Sequence, residues 1–151
     1  MTAKDAERTL VTNRRAGFDF HLDERFEAGV ALVGSEVKSL RAGKANLQDA
    51  WIRIERDRAV LVGCHISPYE QANRFNHDPV RERPLLLRGP ELARLWKATH
   101  EKGRTVVPTR VYLKGSWVKV EIAVATGKRA HDKRAAIKER EAKAEIARHR
   151  R

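Results

Sequence analysis

The chain has 151 residues and 41% hydrophobic residues, enough for one domain with a core of its own. Its 32 Lys and Arg stand against 20 Asp and Glu, a net charge of +12 that favours polyanionic partners, nucleic acid before an anionic membrane. A single cysteine, Cys64, excludes an intrachain disulfide and suggests a reducing cytoplasm. No run approaches 18 apolar residues, and "MTAKDAERTL" has no apolar signal core, so neither membrane spanning nor secretion is expected.

In chain order, residues 1–12 are polar and are expected to be a flexible N-terminus. "FDFHL" (18–22) alternates like a half-buried strand, and "VALV" (30–33) is a short apolar run between Gly29 and Gly34. "SEVKSLRAGKAN" predicts one or two helical turns, with Ser35 as N-cap and Gly43 at the end. "AWIRIER" and "AVLVGCHI" predict a hairpin around Asp57 and Arg58, and the apolar setting of Cys64 predicts an inert packed thiol. Residues 67–84 are rich in Asn, Pro and Arg and predict a long loop, a length that is uncommon without a function.

"GPELARLWKATHEKG" (89–103) is the clearest helix. Pro90 suits its first turn, Glu91 complements the dipole, and Leu92, Leu95, Trp96 and Thr99 share one face. A second hairpin turns at Gly115 and Ser116, with Val118, Val120, Ile122 and Val124 alternating against Lys119, Glu121 and Ala123. About six short strands with no βαβ rhythm predict a mainly β fold. The best fit is a small antiparallel barrel resembling an oligonucleotide-binding fold (OB-fold), with accessory helices.

Catalytic motifs are scarce. The six histidines lack zinc spacing, no phosphate-binding loop or nucleophile elbow is present, and neither a metal nor a cofactor is expected. Glu24, Glu27, Glu36 and His21 near basic residues motivate an alternative, a magnesium-dependent RNA-processing enzyme. More telling are "NRRAGFDF", "KSLRAGKAN", "NRFNHDPVRER" and "YLKGSWVK", which set Lys or Arg beside Asn and aromatic residues, the pairing that grips phosphates and stacks on exposed bases.

Residues 127–151 hold ten basic and four acidic side chains, about five times the net charge per residue of the preceding 126. Ala, Lys, Glu and Arg dominate and favour helix, yet no apolar stripe runs along the segment. It is expected to be a basic C-terminal tail, disordered when free and helical against a polyanion.

The stretches "NRRA", "FEAGVALVGSEVKSLRAGKANLQDAWIRI", "HISPYEQANRFNHDPVRERPLLL", "GSWVKVEIA" and "GKRAHDKRAAIKEREAKAEI" together resemble the SsrA-binding protein family, small protein B. The resemblance runs colinearly from Asn13 to Ile146. It implies a non-enzymatic adaptor of bacterial trans-translation, the rescue of stalled ribosomes. A barrel domain, residues 13–126, would bind the tRNA-like domain of transfer-messenger RNA, and the tail would become helical in the empty mRNA channel.

Carried over by motif, Asn13, Arg14, Glu27, Lys38, Arg41, Lys44 and Asn46 are the implied RNA contacts. Gly127, Lys128, His131, Asp132, Lys133 and Arg134 match the family's decoding-centre motif. The chain departs from the family at Gly17, Phe18, Asp19 and Phe20, where Arg-His-Asp-Tyr is common, and at Arg129, where Lys is usual. The implied partners are transfer-messenger RNA and the ribosome, with the free protein a monomer. A static ribosomal component is the other alternative.

Overall fold

A computed structural model describes residues 6–100, 103–128 and 130–149. The fold is mainly β. A seven-stranded antiparallel sheet contains β1 (Glu7–Thr12), β2 (Phe20–Val30), β4 (Trp51–Ile54), β5 (Ala59–Val62), β7 (Arg83–Leu86), β8 (Arg104–Lys114) and β9 (Trp117–Gly127). Their spatial order is β1-β8-β9-β2-β7-β5-β4, and the sheet curls so that β4, at one edge, packs against β8. A two-stranded sheet joins β3 (Ala45–Asn46) to β6 (His65–Ile66). The helices are α1 (Ala16–Asp19), α2 (Gly34–Arg41), α3 (Gly89–Thr99) and α4 (Ala130–His149).

The β8–β9 hairpin is the spine. Its strands alternate β-branched residues, and Val106, Val120, Ile122 and Val124 are buried inside. Gly115 turns the hairpin at φ +61°, a conformation that a residue with a Cβ rarely adopts. Leu40 of α2, Leu95 of α3 and Leu47, Ile52, Leu61 and Ile66 complete one core. Each such side chain contributes about 1.5–3 kcal/mol when fully buried. The helical face expected at 92–99 is seen on α3, where Leu95 is fully buried and Leu92, Trp96 and Thr99 are half-buried.

Both predicted hairpins are present. Other elements differ from the expectation, each for a local reason. Residues 7–12 are not loose: β1 pairs with β8, Glu7 lying opposite Lys114. "FD" of "FDFHL" belongs to α1, and β2 then runs eleven residues. A register shift between Leu22 and Arg25 breaks the alternation that would have revealed β2's length.

The N-cap of α2 is Val33 rather than Ser35, and the Glu36 carboxylate accepts the Val33 N–H at 2.9 Å. Ser35 instead lies in the first turn and bonds His77 Nδ1 at 2.8 Å. The long loop contains a 3-10 helix, Glu70–Phe75, and ends in β7. Finally, β9 extends to Gly127, and the segment beyond it, expected to be disordered, is the 20-residue helix α4. Residues 137–146 of α4 are all exposed, so the helix forms without being buried.

Candidate nucleic-acid interface

The conformation of "SLRAGKAN" follows from its glycine. Gly43, at φ +73°, stops α2 and donates to Leu40 O at 2.9 Å, and Lys44 N donates to Ser39 O at 2.9 Å. The chain then turns into β3, tied to the loop by Ser67 N donating to Lys44 O at 3.0 Å and Ser39 Oγ to Ser67 O at 2.6 Å. Arg41, Lys44 and Asn46 are left exposed along one ridge. Lys38, also exposed, holds its ammonium 5.4 Å from the Tyr69 ring centroid.

Asn13 and Arg14 meet Asn46 in a cleft of about 220 Å³ that Thr12, Arg15 and Gln48 also line. Asn13 is buried because it closes a bulge in β8. Its N–H donates to Thr109 O at 2.8 Å and its Nδ2 to Pro108 O at 2.9 Å. Its Oδ1 is buried without a hydrogen-bond partner. Arg14 and Asn46 are therefore exposed polar groups of the cleft, together with Thr12, Arg15 and Gln48, while Asn13 holds its floor. Arg15 and Gln48 were not singled out from the sequence.

Glu27 belongs to a second cleft, about 470 Å³, with Gly29, Leu86, Leu87, Arg88 and Lys119. It lies directly opposite Glu121 in the β2–β9 register, a like-charge pair that would repel. The two carboxylates are held by different donors. Glu27 accepts from Tyr112 Oη and from Lys114 Nζ at 3.4 Å. Glu121 accepts from Thr109 Oγ1 and from Arg25 at 3.2 Å.

The hydrogen bond from Tyr112 is the main influence holding the Glu27 carboxyl below its ordinary range, with Lys114 and Lys119 adding to it against burial. Burial first, then the bond to Glu27, pushes the Tyr112 phenol above its ordinary value. A carboxylate kept ionised among lysines can accept from base-edge N–H groups while the lysines take phosphates.

The glutamates behind the enzyme alternative are dispersed. Glu24 pairs with Arg94, Glu27 with Tyr112, and Glu36 is fully buried between Arg81 and Arg83. Among the described residues, no group of three or more His, Cys, Asp or Glu is placed to hold a metal ion. No helix among them is long and apolar enough to cross a membrane.

Of the tail candidates, Gly127 closes β9 opposite Phe20, and Lys128 donates its N–H to Asp19 O at 2.9 Å. His131, Asp132, Lys133 and Arg134 fall in the first turns of α4, where Arg134 is exposed. Arg129 lies outside the described residues.

Comparison with known proteins places this geometry. The family model described as SmpB protein matches residues 10–151. The chain is 51% identical over 146 residues to an SsrA-binding protein of Desulforudis audaxviator, covering 97% of this chain and 95% of the relative. It is 53% identical over 148 residues to one of Symbiobacterium thermophilum, covering 97% and 93%. A solved chain from "tmRNA-SmpB: a journey to the center of the bacterial ribosome" superposes with a TM-score of 0.69 at 40% identity, covering 86% of this chain and 95% of that one. With nearly its whole length matched at this level, the chain belongs to the SmpB protein family.

Proposed function

We propose that the protein is a transfer-messenger RNA-binding adaptor of trans-translation, acting by binding rather than by catalysis. The observation that carries this reading is identity near one half, over 97% of the chain, to proteins named SsrA-binding protein. The curled sheet acts as an OB-like barrel whose exposed Arg14, Arg41, Lys44 and Asn46 grip the phosphate backbone of the tRNA-like domain. Glu27, fixed by Tyr112, accepts from a base or ribose donor in that RNA, and Lys38 adds a cation. The protein works as a monomer in the cytoplasm.

Helix α4 has no apolar stripe and no burial of its own over 137–146, and an unpacked helix of this length is marginal in water. It frays when free and becomes firm in the mRNA channel of a ribosome lacking message. There Lys128, Lys133 and Arg134 meet phosphates and His131 meets an rRNA base, within the motif that also holds Gly127 and Asp132. The body and the tail thus divide the work.

The test compares the full chain with a chain ending at Lys128, which keeps β9 whole. Both should bind the tRNA-like domain with affinity that falls as salt rises, because phosphate contacts release counterions. Only the full chain should support tagging on stalled ribosomes. A shortened chain that loses RNA binding but still supports tagging would overturn the division of labour.

A further inference from the structure

The first turns of the body and the middle of α4 enclose a cleft of which the proposed function uses only Arg14 and Lys128. It has a volume of about 590 Å³ and is lined by Arg14, Phe18, Lys128, Glu139, Arg140 and Lys143. Four of those six side chains are cations and one is a carboxylate. That carboxylate, Glu139, is already paired with Lys143 at 3.5 Å. Among the described residues, no carboxylate pairs with Arg14, Lys128 or Arg140. Three cations drawn into one cleft without a counter-charge repel one another, and a bound anion relieves that repulsion.

Phe18 gives the cleft its shape. The Arg140 guanidinium sits 5.5 Å from the Phe18 ring centroid, close enough for the ring face to hold it. The contact joins the body to the tail, since Phe18 lies in α1 and Arg140 lies in α4, ten residues on from its start at Ala130 and one turn on from Ile137. Arg14 and Ile137 line the adjoining space with Phe18 and Arg140. The volume lies in the range of sites that take a small organic ligand rather than a lone ion. A guanidinium presented this way suits a phosphodiester, which it can meet with two parallel N–H donors.

We propose that this cleft between α1 and α4 binds a phosphodiester of single-stranded RNA, with Arg14, Lys128 and Arg140 as donors and Phe18 positioning Arg140. Apart from Arg14, its lining lies outside the surface assigned above to the tRNA-like domain, and the variants tested below leave Arg14 in place. It gives the body and the tail a shared ligand, so the direction in which α4 leaves the body depends on whether that RNA is present.

The experiment uses the full chain and a fluorescein-labelled octauridylate, read by fluorescence anisotropy at several salt concentrations. Arg140→Gln should weaken binding about tenfold, the loss of a charge-assisted hydrogen bond, and lower the salt slope by roughly 0.7. Phe18→Ala should weaken it severalfold with no change in charge, which diffuse attraction would not do. Arg94→Gln, which removes an exposed cation from α3, should change it less than twofold. Equal losses in Arg94→Gln and Arg140→Gln, or no loss in Phe18→Ala, would overturn the site. Binding of the tRNA-like domain to the same variants is measured alongside. It should be unchanged, and its absence in the unmodified protein would sink the proposed function while leaving the octauridylate result to stand or fall alone.

Discussion

Arg83 donates its Nε–H to the Glu36 carboxylate at 2.5 Å, and both side chains are fully buried. Arg81 reaches the same carboxylate at 2.6 Å, and Arg83 also donates to Cys64 O at 2.7 Å and Pro79 O at 3.2 Å. Burial opposes the Glu36 charge most strongly, but the donors from Arg81, Val33 and Arg83 prevail and hold its carboxyl below the ordinary range. This assembly fastens α2, and with it the exposed Arg41 and Lys44, to the 67–84 loop. Removing one partner of a buried pair leaves the other uncompensated, so Glu36→Gln should cost about 3–5 kcal/mol. Urea denaturation checks this; a loss under 1 kcal/mol would mean that the pair does not hold the loop.

Arg41→Gln and Lys44→Gln should each weaken binding of the tRNA-like domain and lower its salt slope by about one, with thermal stability unchanged because both side chains are exposed. Titrations at three salt concentrations measure this. Unchanged slopes would place the phosphate contacts elsewhere.

The Tyr112–Glu27 bond makes a pH-dependent contribution. Glu27's folded-state pKa is lowered, so its stabilisation is present above the unfolded value of about 4.3 and is lost as pH falls through the folded value. Tyr112→Phe should therefore cost about 1 kcal/mol at pH 7, a figure reduced for the partial exposure of Glu27. The difference from the unmodified protein should shrink toward pH 3. Urea midpoints of the two proteins across that range provide the measurement, and a pH-independent gap would contradict the linkage.

Burial pushes the Cys64 thiol up to about 11, with Arg83 opposing the shift. At pH 8 a thiol-reactive disulfide reagent should label Cys64 orders of magnitude more slowly in the folded protein than in urea. Comparable rates in both conditions would mean that the turn carrying Cys64, between β5 and β6, opens readily.

Gly63 combines a φ of +75° with a tight approach, since a Cβ there would lie 2.7 Å from Asp49 O. The obstacle is backbone and cannot rotate away. Gly63→Ala should destabilise the protein by about 2 kcal/mol or more, measured by thermal melting. A neutral result would require the turn between β5 and β6 to be pliable.

Much of this architecture was legible in the residues. Both hairpins and α3 carry their own local signals: turn glycines, alternation, Pro90 and Glu91 in the first turn. What was hidden depended on partners distant in sequence. β1 exists because β8 offers an edge to polar residues that have no pattern of their own. β2 was fragmented by its register shift, and Pro84 disguised β7, an interior strand between β2 and β5. The exposed ridge at Arg41, Lys44 and Asn46 was readable from its motif. The support of Glu27 by Tyr112, 85 positions away, was not. Helix α4 was legible in composition, which favours helix; the sequence's lack of an apolar stripe pointed to disorder, and only its exposed character agrees with that expectation.

The strand order joins the beginning of the chain to its far end: β1 lies on β8, and Phe20 of β2 lies opposite Gly127 of β9. During synthesis β1 therefore waits unpaired for β8, and most of β2, beyond its short pairing with β7, waits for β9, and such non-local pairing is slow. Because α4 follows β9, it is the stretch being polymerised when the last strand arrives. The sheet can close only once β9 has emerged, so the residues that follow it set how late that moment comes.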